Sequence, residues 1–186
     1  MKKSVVSCPP KEPSLLERLR GKRWISVDPG IGGTGIAVWK GSTLKESFAI
    51  SPRGKNWKDK SEDLVFRLGD EIDLSDGAVS VLVYEMPFID FQSSERSMIS
   101  AAKQDVVKLC ITAGMIAGSF LAWFPDANIF PIPVQRWKGQ IPKIVHQKRL
   151  QKRFARLGLK PSTNTTHEAD AIGLGLFVLY GEERKS

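Results

Sequence analysis

Cysteine is scarce in this 186-residue chain: there are two, Cys8 and Cys110, and no pair spacing such as C-x-x-C. That excludes a disulfide framework and a thiolate zinc site as organising devices, and a reducing cytoplasm is the expected setting. After Met1-Lys2-Lys3 there is no apolar run beyond Val5-Val6, so no secretory leader is expected. The longest uncharged apolar stretch, Leu109 to Phe124, has 16 residues and includes Gly114 and Gly118. A bilayer span needs about 20, so a buried helix and no membrane partner are expected. The sequence contains no internal repeat and no low-complexity segment.

Acids are in short supply relative to bases. Lysine and arginine number 28 against 20 aspartates and glutamates, a net charge of +8. That excess favours an anionic partner, nucleic acid above all. A composition of 41% hydrophobic and 26% charged residues is globular, and the length suits one domain with a continuous core. Residues 1–23 read as a basic N-terminal arm with a short helical pattern (Leu15, Leu16, Leu19), free to fray, and residues 24–186 as the folded domain.

The domain opens on strands. Arg23 to Asp28 is β-branched and aromatic and stops at Pro29-Gly30; Gly35 to Lys40 resumes after a glycine-rich turn, and Leu44 to Ile50 follows the Gly41-Ser42 turn. These predict three antiparallel strands. Leu64, Val65, Leu68 and Ile72 recur at helical spacing, and Val79 to Glu85 is the nearly continuous apolar run of an interior strand. A long helix is expected over Ser94 to Phe124, a strand over Asn128 to Ile132, and helices over Lys143 to Leu159 and Glu168 to Tyr180. The result is an α/β fold, a mixed five-stranded sheet flanked by helices.

Three acids interrupt hydrophobic surroundings: Asp28 at the end of the first strand, Glu85 at the end of the interior strand, and Asp170 in the apolar last helix. Acids are rarely buried unless paired or metal-bound. If the two strands are neighbours, Asp28 and Glu85 emerge at one sheet edge, and His167 and Asp170, three apart, share a helix face. Glu168 would then point elsewhere, into solvent. Gathered carboxylates require a cation, and hard oxygen ligands with an imidazole suit Mg²⁺ or Mn²⁺. Two such ions about 4 Å apart can activate water and stabilise the leaving oxygen in phosphodiester hydrolysis. The bland readings are a turn aspartate, a solvated strand end, a helix-start acid and a surface histidine.

The segment Lys143 to Lys160 carries seven lysines or arginines and no acid. Lys148, Lys152 and Arg156 recur at i, i+4 and i+8 with Arg149 and Arg153 alongside, opposite Leu150, Phe154 and Leu157. Such a face would hold DNA phosphates without reading sequence.

Val27-Asp28-Pro29-Gly30 with Gly33-Thr34-Gly35-Ile36-Ala37, then Tyr84-Glu85-Met86-Pro87-Phe88, then His167-Glu168-Ala169-Asp170-Ala171 resemble the motifs of RuvC-like Holliday junction resolvases, in the RNase H-like nuclease group. The resemblance implies an RNase H-like fold and a homodimer that binds four-way DNA junctions and nicks two strands symmetrically with two Mg²⁺ or Mn²⁺ ions. It implies Asp28, Glu85, His167 and Asp170 as catalytic metal ligands, with His167 where many members carry aspartate. Phe88 would engage the open junction. Trp137 to Lys143 resembles phage-type relatives, which would place Lys138 and Lys143 near the scissile phosphate. Alternatives are an RNase H-like nuclease acting on RNA–DNA hybrids or other branched substrates, an actin-like nucleotide-binding protein using the Asp28-Pro29-Gly30 turn and Thr34, and an inert DNA-binding protein.

Overall fold

The period-two alternation of the first strand decides the layout. In the computed structural model, β1 (Arg23–Asp28) sends Ile25 and Val27 to one face of the sheet and Trp24 to the other. The structure describes residues 14–72, 77–87, 96–139, 141–162 and 165–181. β2 (Thr34–Lys40) and β3 (Thr43–Ile50) follow as antiparallel neighbours, and β4 (Val81–Met86) and β5 (Asn128–Pro133) add in parallel on the other side. The order is β3-β2-β1-β4-β5, so β4 is interior, as its apolar run predicts. β1, β3, β4 and β5 therefore all end at the same edge.

Each face of the sheet is covered. On one, Ile25, Val27, Ile36, Val38 and Leu82 pack against Leu64 and Leu68 of α2 (Trp57–Glu71) and Ile116 and Phe120 of α3 (Arg96–Trp123). On the other, Trp24, Trp39, Val81 and Val83 meet α5 (Lys143–Leu157) and α6 (Thr166–Tyr180), through residues such as Leu150, Phe154, Ile172 and Leu174. Burying each such aliphatic side chain contributes roughly 1.5–3 kcal/mol. Eleven of the fifteen residues of α6 are buried, which makes it the central helix of that layer. It can lie this close because Gly35 on β2 and Gly175 on α6 lack side chains: a Cβ at Gly35 would overlap the His167 carbonyl, and one at Gly175 the Trp39 indole. Ser26 ties the layers together, donating from Oγ to the Ala171 carbonyl at 2.7 Å and accepting from Trp39 Nε1 at 2.8 Å.

Several boundaries differ from expectation for local reasons. Gly158, at φ 66°, takes the left-handed conformation that closes α5 two residues early. Thr165 caps α6 by accepting from the Glu168 N–H, so that helix begins before Glu168. The expected arm of residues 1–23 divides. Ser14 and Glu17 form a capping box on α1 (Leu15–Leu19), and Leu19 is buried in the core beside α6; residues 1–13 lie outside the described ones. A short α4 (Val134–Trp137) joins β5 to α5.

α3 is only half covered. Thr112, Ala113, Ile116 and Phe120 are buried, while Val107, Ile111 and Leu121 are 48%, 43% and 42% exposed. Its segment Asp105–Trp123 is long and apolar enough to cross a membrane by length and composition, a test that core helices also pass.

Candidate active site

Strand parity delivers the first two acids. Asp28 follows Trp24 and Ser26 on the α6 side of β1, and Glu85 follows Val81 and Val83 on the same side of β4. The strands are parallel neighbours with Val27 opposite Tyr84, so Asp28 and Glu85 leave the sheet side by side. The first turn of α6 supplies His167 and Asp170. His167 Nδ1 lies 2.9 Å from Asp28 Oδ2, with its ring against Gly30 and Gly33, where a side chain would displace it.

All three carboxylates converge on the ammonium of Lys138, just after α4. Its Nζ is 2.7 Å from Glu85 Oε2, 2.9 Å from Asp170 Oδ2 and 3.7 Å from Asp28 Oδ1. Asp28, Glu85, His167, Asp170 and Lys138 line one cavity of about 740 Å³ at the carboxyl ends of the strands, where ligands bind in open α/β sheets. Lys143 lines it too, as an exposed residue.

No protein-family model matches the chain, and no curated protein sequence does. Among solved structures it is similar to T. thermophilus RuvC in complex with a Holliday junction substrate, with a TM-score of 0.61 and 15% identity over 89% of this chain and 98% of that one. A second T. thermophilus RuvC structure gives 0.55 and 16% over 87% and 96%. The yeast mitochondrial Holliday junction resolvase gives 0.52 and 12% over 91% and 86%. The chain has the RuvC fold.

Within this RuvC-like frame, three residues that the sequence reading gave no role complete the site. Trp137 donates from Nε1 to Glu85 Oε2 at 2.9 Å, and Gln147 donates from Nε2 to Asp170 Oδ1 at 2.7 Å. His146 is buried edge-on against Trp137, ring centroids 5.0 Å apart, with Nε2 at 3.5 Å from Asp170 Oδ1. That separation is too long for a hydrogen bond, and Nε2 has no hydrogen-bond partner. The signal for His146 was present: it stands at i with Leu150 and Phe154 at i+4 and i+8, the three buried residues of α5, whereas Leu157, expected on that stripe, is 42% exposed.

One ammonium acts on both Glu85 and Asp170, yet the two acids shift in opposite directions. Burial and the neighbouring Asp28 charge push the Glu85 carboxyl above the usual carboxylate range, and Lys138 offsets only part of this. Burial also works against the charge on Asp170, but the adjacent His146 and Lys138 outweigh it and hold that carboxyl low. For Lys138, burial opposes the charge, while Asp28, Glu85 and Asp170 more than compensate and hold the ammonium well above the ordinary lysine range.

Glu168 is a correction. Expected in solvent, it is fully buried: Oε1 accepts from Ser47 Oγ at 2.6 Å, from the Ser162 N–H at 2.5 Å and from Ser162 Oγ at 3.0 Å. It pins the start of α6 to β3 and to the loop after α5, and so positions His167 and Asp170. On α5, Lys148, Arg149, Lys152 and Arg156 are exposed as expected of a phosphate face. Arg153 differs: it is half-buried, donates to the Leu176 carbonyl at 3.2 Å and lies over the Tyr180 ring at 5.8 Å, so it also braces α5 against α6. Phe88 lies outside the described residues. The turn at Pro29-Gly30 is closed on itself, because Thr34 Oγ1 bonds both the N–H and the carbonyl of Gly30 at 3.0 Å. A phosphate cradle of the actin-like kind would need those groups free.

The donor set, three carboxylates and an imidazole, suits a hard divalent ion. The gathering is not yet a metal cage. Among the described residues no three His, Cys, Asp or Glu side chains are grouped closely enough to hold a metal ion, and the Lys138 ammonium stands at the point of convergence.

Proposed function

We propose that this chain is a divalent-metal-dependent endodeoxyribonuclease that resolves four-way DNA junctions. The observation that carries the reading is that carboxylates from β1, β4 and α6 meet at a single cation, with a histidine bound to one of them. Similarity in fold to RuvC bound to a Holliday junction substrate, and to a yeast Holliday junction resolvase, supports it. Asp28, Glu85, His167 and Asp170 would hold the metal. Two Mg²⁺ or Mn²⁺ ions there would supply an activated water and stabilise the leaving oxygen.

The remaining chemistry belongs to the chain. Gln147 and Trp137 fix the orientation of Asp170 and Glu85, which keeps the two acids from turning apart. The Asp28 contact with Nδ1 sets the His167 ring orientation. Lys138 and Lys143 bring positive charge to the cavity that receives the scissile phosphate. Lys148, Arg149, Lys152 and Arg156 extend that charge along α5, where phosphate contacts position a DNA arm.

Symmetric nicking requires two sites, and we place the second copy on the open face of α3. Val107, Ile111 and Leu121 are exposed there, and Gly114 and Gly118 have open space where a Cβ would stand, so a partner backbone can approach closely. Action on RNA–DNA hybrids would use the same centre without needing a dimer. The experiment is a side-by-side offer of labelled four-way junction, hybrid, flap and linear duplex with Mg²⁺ or Mn²⁺. Paired nicks confined to the junction support the proposal; cleavage of the hybrid alone, by a monomer, overturns it in favour of the hybrid reading.

A further inference from the structure

The cavity that gathers the carboxylates is lined by more than acids and bases. Ile31 in the turn after β1, Trp57 at the first position of α2, Leu109 of α3 and Ile141 ahead of α5 contribute to its wall, with Lys108 of α3 paired to Asp105 at 3.1 Å beside Leu109. Trp57 is held firmly. Asn56 Oδ1 caps α2 by accepting the N–H groups of Lys58 and Asp59 at 2.9 and 3.1 Å, and the Ser61 hydroxyl bonds the Trp57 carbonyl at 2.9 Å. The indole itself is half-buried and contributes to the cavity wall. A volume of about 740 Å³ is more than ions and their ligands need and is that of a pocket for a small organic group.

We propose that the Trp57 wall of this cavity is a subsite for one unpaired nucleobase, stacked on the indole, in the nucleotide next to the phosphate that is cut. The inference rests on the nuclease reading above. A DNA strand presents a phosphate and a flat base side by side, and one cavity here presents cationic side chains together with an aromatic and aliphatic wall. Lys143 in that lining complements the backbone. A base inside a duplex is stacked on both faces and cannot enter. A base at the exchange point of a branched DNA has already lost part of its stacking, so insertion there costs least. Aromatic stacking accepts any base, so the subsite selects the unpaired state rather than the sequence. It would thus make branched DNA the better substrate at the level of a single nucleotide.

The test uses the full chain. The nick is first mapped on a four-way junction with Mn²⁺, and 2-aminopurine is then placed on either side of it for binding titrations before divalent ion is added. Wild type should change the probe's emission at one of the two positions. Trp57→Ala should lose that change and bind the junction roughly ten-fold or more weakly, the scale of one lost base–aromatic stack, with linear duplex affinity unchanged. Trp57→Phe should retain most of both. The inference is overturned if Trp57→Ala keeps the wild-type probe response and junction affinity, or if junction and duplex affinities fall together, which marks Trp57 as a support of the fold. A wild-type protein that nicks no branched DNA overturns the nuclease reading, and this inference with it.

Discussion

Replacing Lys138 by methionine probes the centre most directly, because the ammonium is where the three carboxylates meet. Methionine keeps an unbranched apolar side chain beside the Trp137 ring, which now lies 4.7 Å from Nζ, and removes the charge. At an effective dielectric of about 20, unit charges at 2.7, 2.9 and 3.7 Å attract by roughly 6, 6 and 4 kcal/mol before desolvation. Most of that is offset by the cost of burying the charges and by repulsion among the carboxylates. The better guide is the effect of removing one partner of a buried pair, about 3–5 kcal/mol. The Lys138 side chain is 18% exposed, so solvent does not screen the loss away. Each kcal/mol moves the Tm of a chain this size by about 2–4 °C, so Lys138→Met should melt roughly 6–20 °C below wild type in EDTA at neutral pH.

The sign of the pH dependence is a second check. Asp170, held below its ordinary 3.8, contributes stability that is present above that value and lost as pH falls through its folded pKa. Lys138, held above its ordinary 10.5, contributes stability present throughout the acid and neutral range and lost only in strong base. Glu85, raised above 4.5, runs the other way: its contribution is present below 4.5 and lost as pH rises through the folded value. Without Lys138, Glu85 and Asp170 protonate more readily, so the stability gap to wild type should narrow from about pH 7 towards about pH 4. Added Mn²⁺ no longer competes with an ammonium and should raise the variant's Tm by more than it raises that of wild type. A variant that melts with wild type in EDTA, and gains no more than it from Mn²⁺, would refute the reasoning.

Asp28→Asn should lose cleavage in a nicking assay yet keep junction binding, since it removes charge and retains size; full activity counts against the assignment. Neutralising Lys148, Lys152 and Arg156 together should flatten the slope of log K against log salt by about 2.7 if each meets one phosphate, and an unchanged slope removes α5 as the DNA face. Glu168→Ala should destabilise the protein by about 1–3 kcal/mol in denaturant melts by leaving the buried Ser47 hydroxyl without its acceptor and releasing the Ser162 loop from α6. Trp137→Phe, which removes the N–H on Glu85 together with part of the indole packed against α6, should weaken Mn²⁺ binding about 10–100-fold by calorimetry and lower Tm through the lost packing.

Asp28 and Glu85 were legible because strand parity is a strong local rule: an acid ending an apolar strand must sit at the sheet edge, and two such strands in parallel bring their acids together. The histidine and aspartate of α6 followed from helical spacing. The supporting shell was not legible in the same way. Trp137, His146 and Gln147 act on carboxylates remote in sequence, and which indole or amide reaches which oxygen depends on how α4 and α5 dock. Glu168 was misplaced by treating α6 as a helix with a wet face. The run Ala169 to Leu179 has apolar residues all round, and such a helix is buried all round. An acid in its first turn must then find donors within reach, and buried Ser47 and the Ser162 loop supply them.

That packing also explains how a self-repelling site is held. Three carboxylates and one ammonium leave a formal charge of two negatives, one minus for each acid and one plus for Lys138, in a half-enclosed cavity. Within the cluster only the single lysine supplies compensating full charge, with Trp137, Gln147 and His167 adding one contact each to the carboxylates. The eleven buried residues of α6, with Glu168 anchored to β3, supply the constraint from outside. The residual charge then has two outlets: a proton, which the raised pKa of Glu85 favours on that acid, or divalent cations. The two compete for the same carboxylate oxygens, so metal affinity should rise with pH as Glu85 loses its proton. A metal titration repeated across pH that shows no such rise would mean Glu85 is not among the ligands.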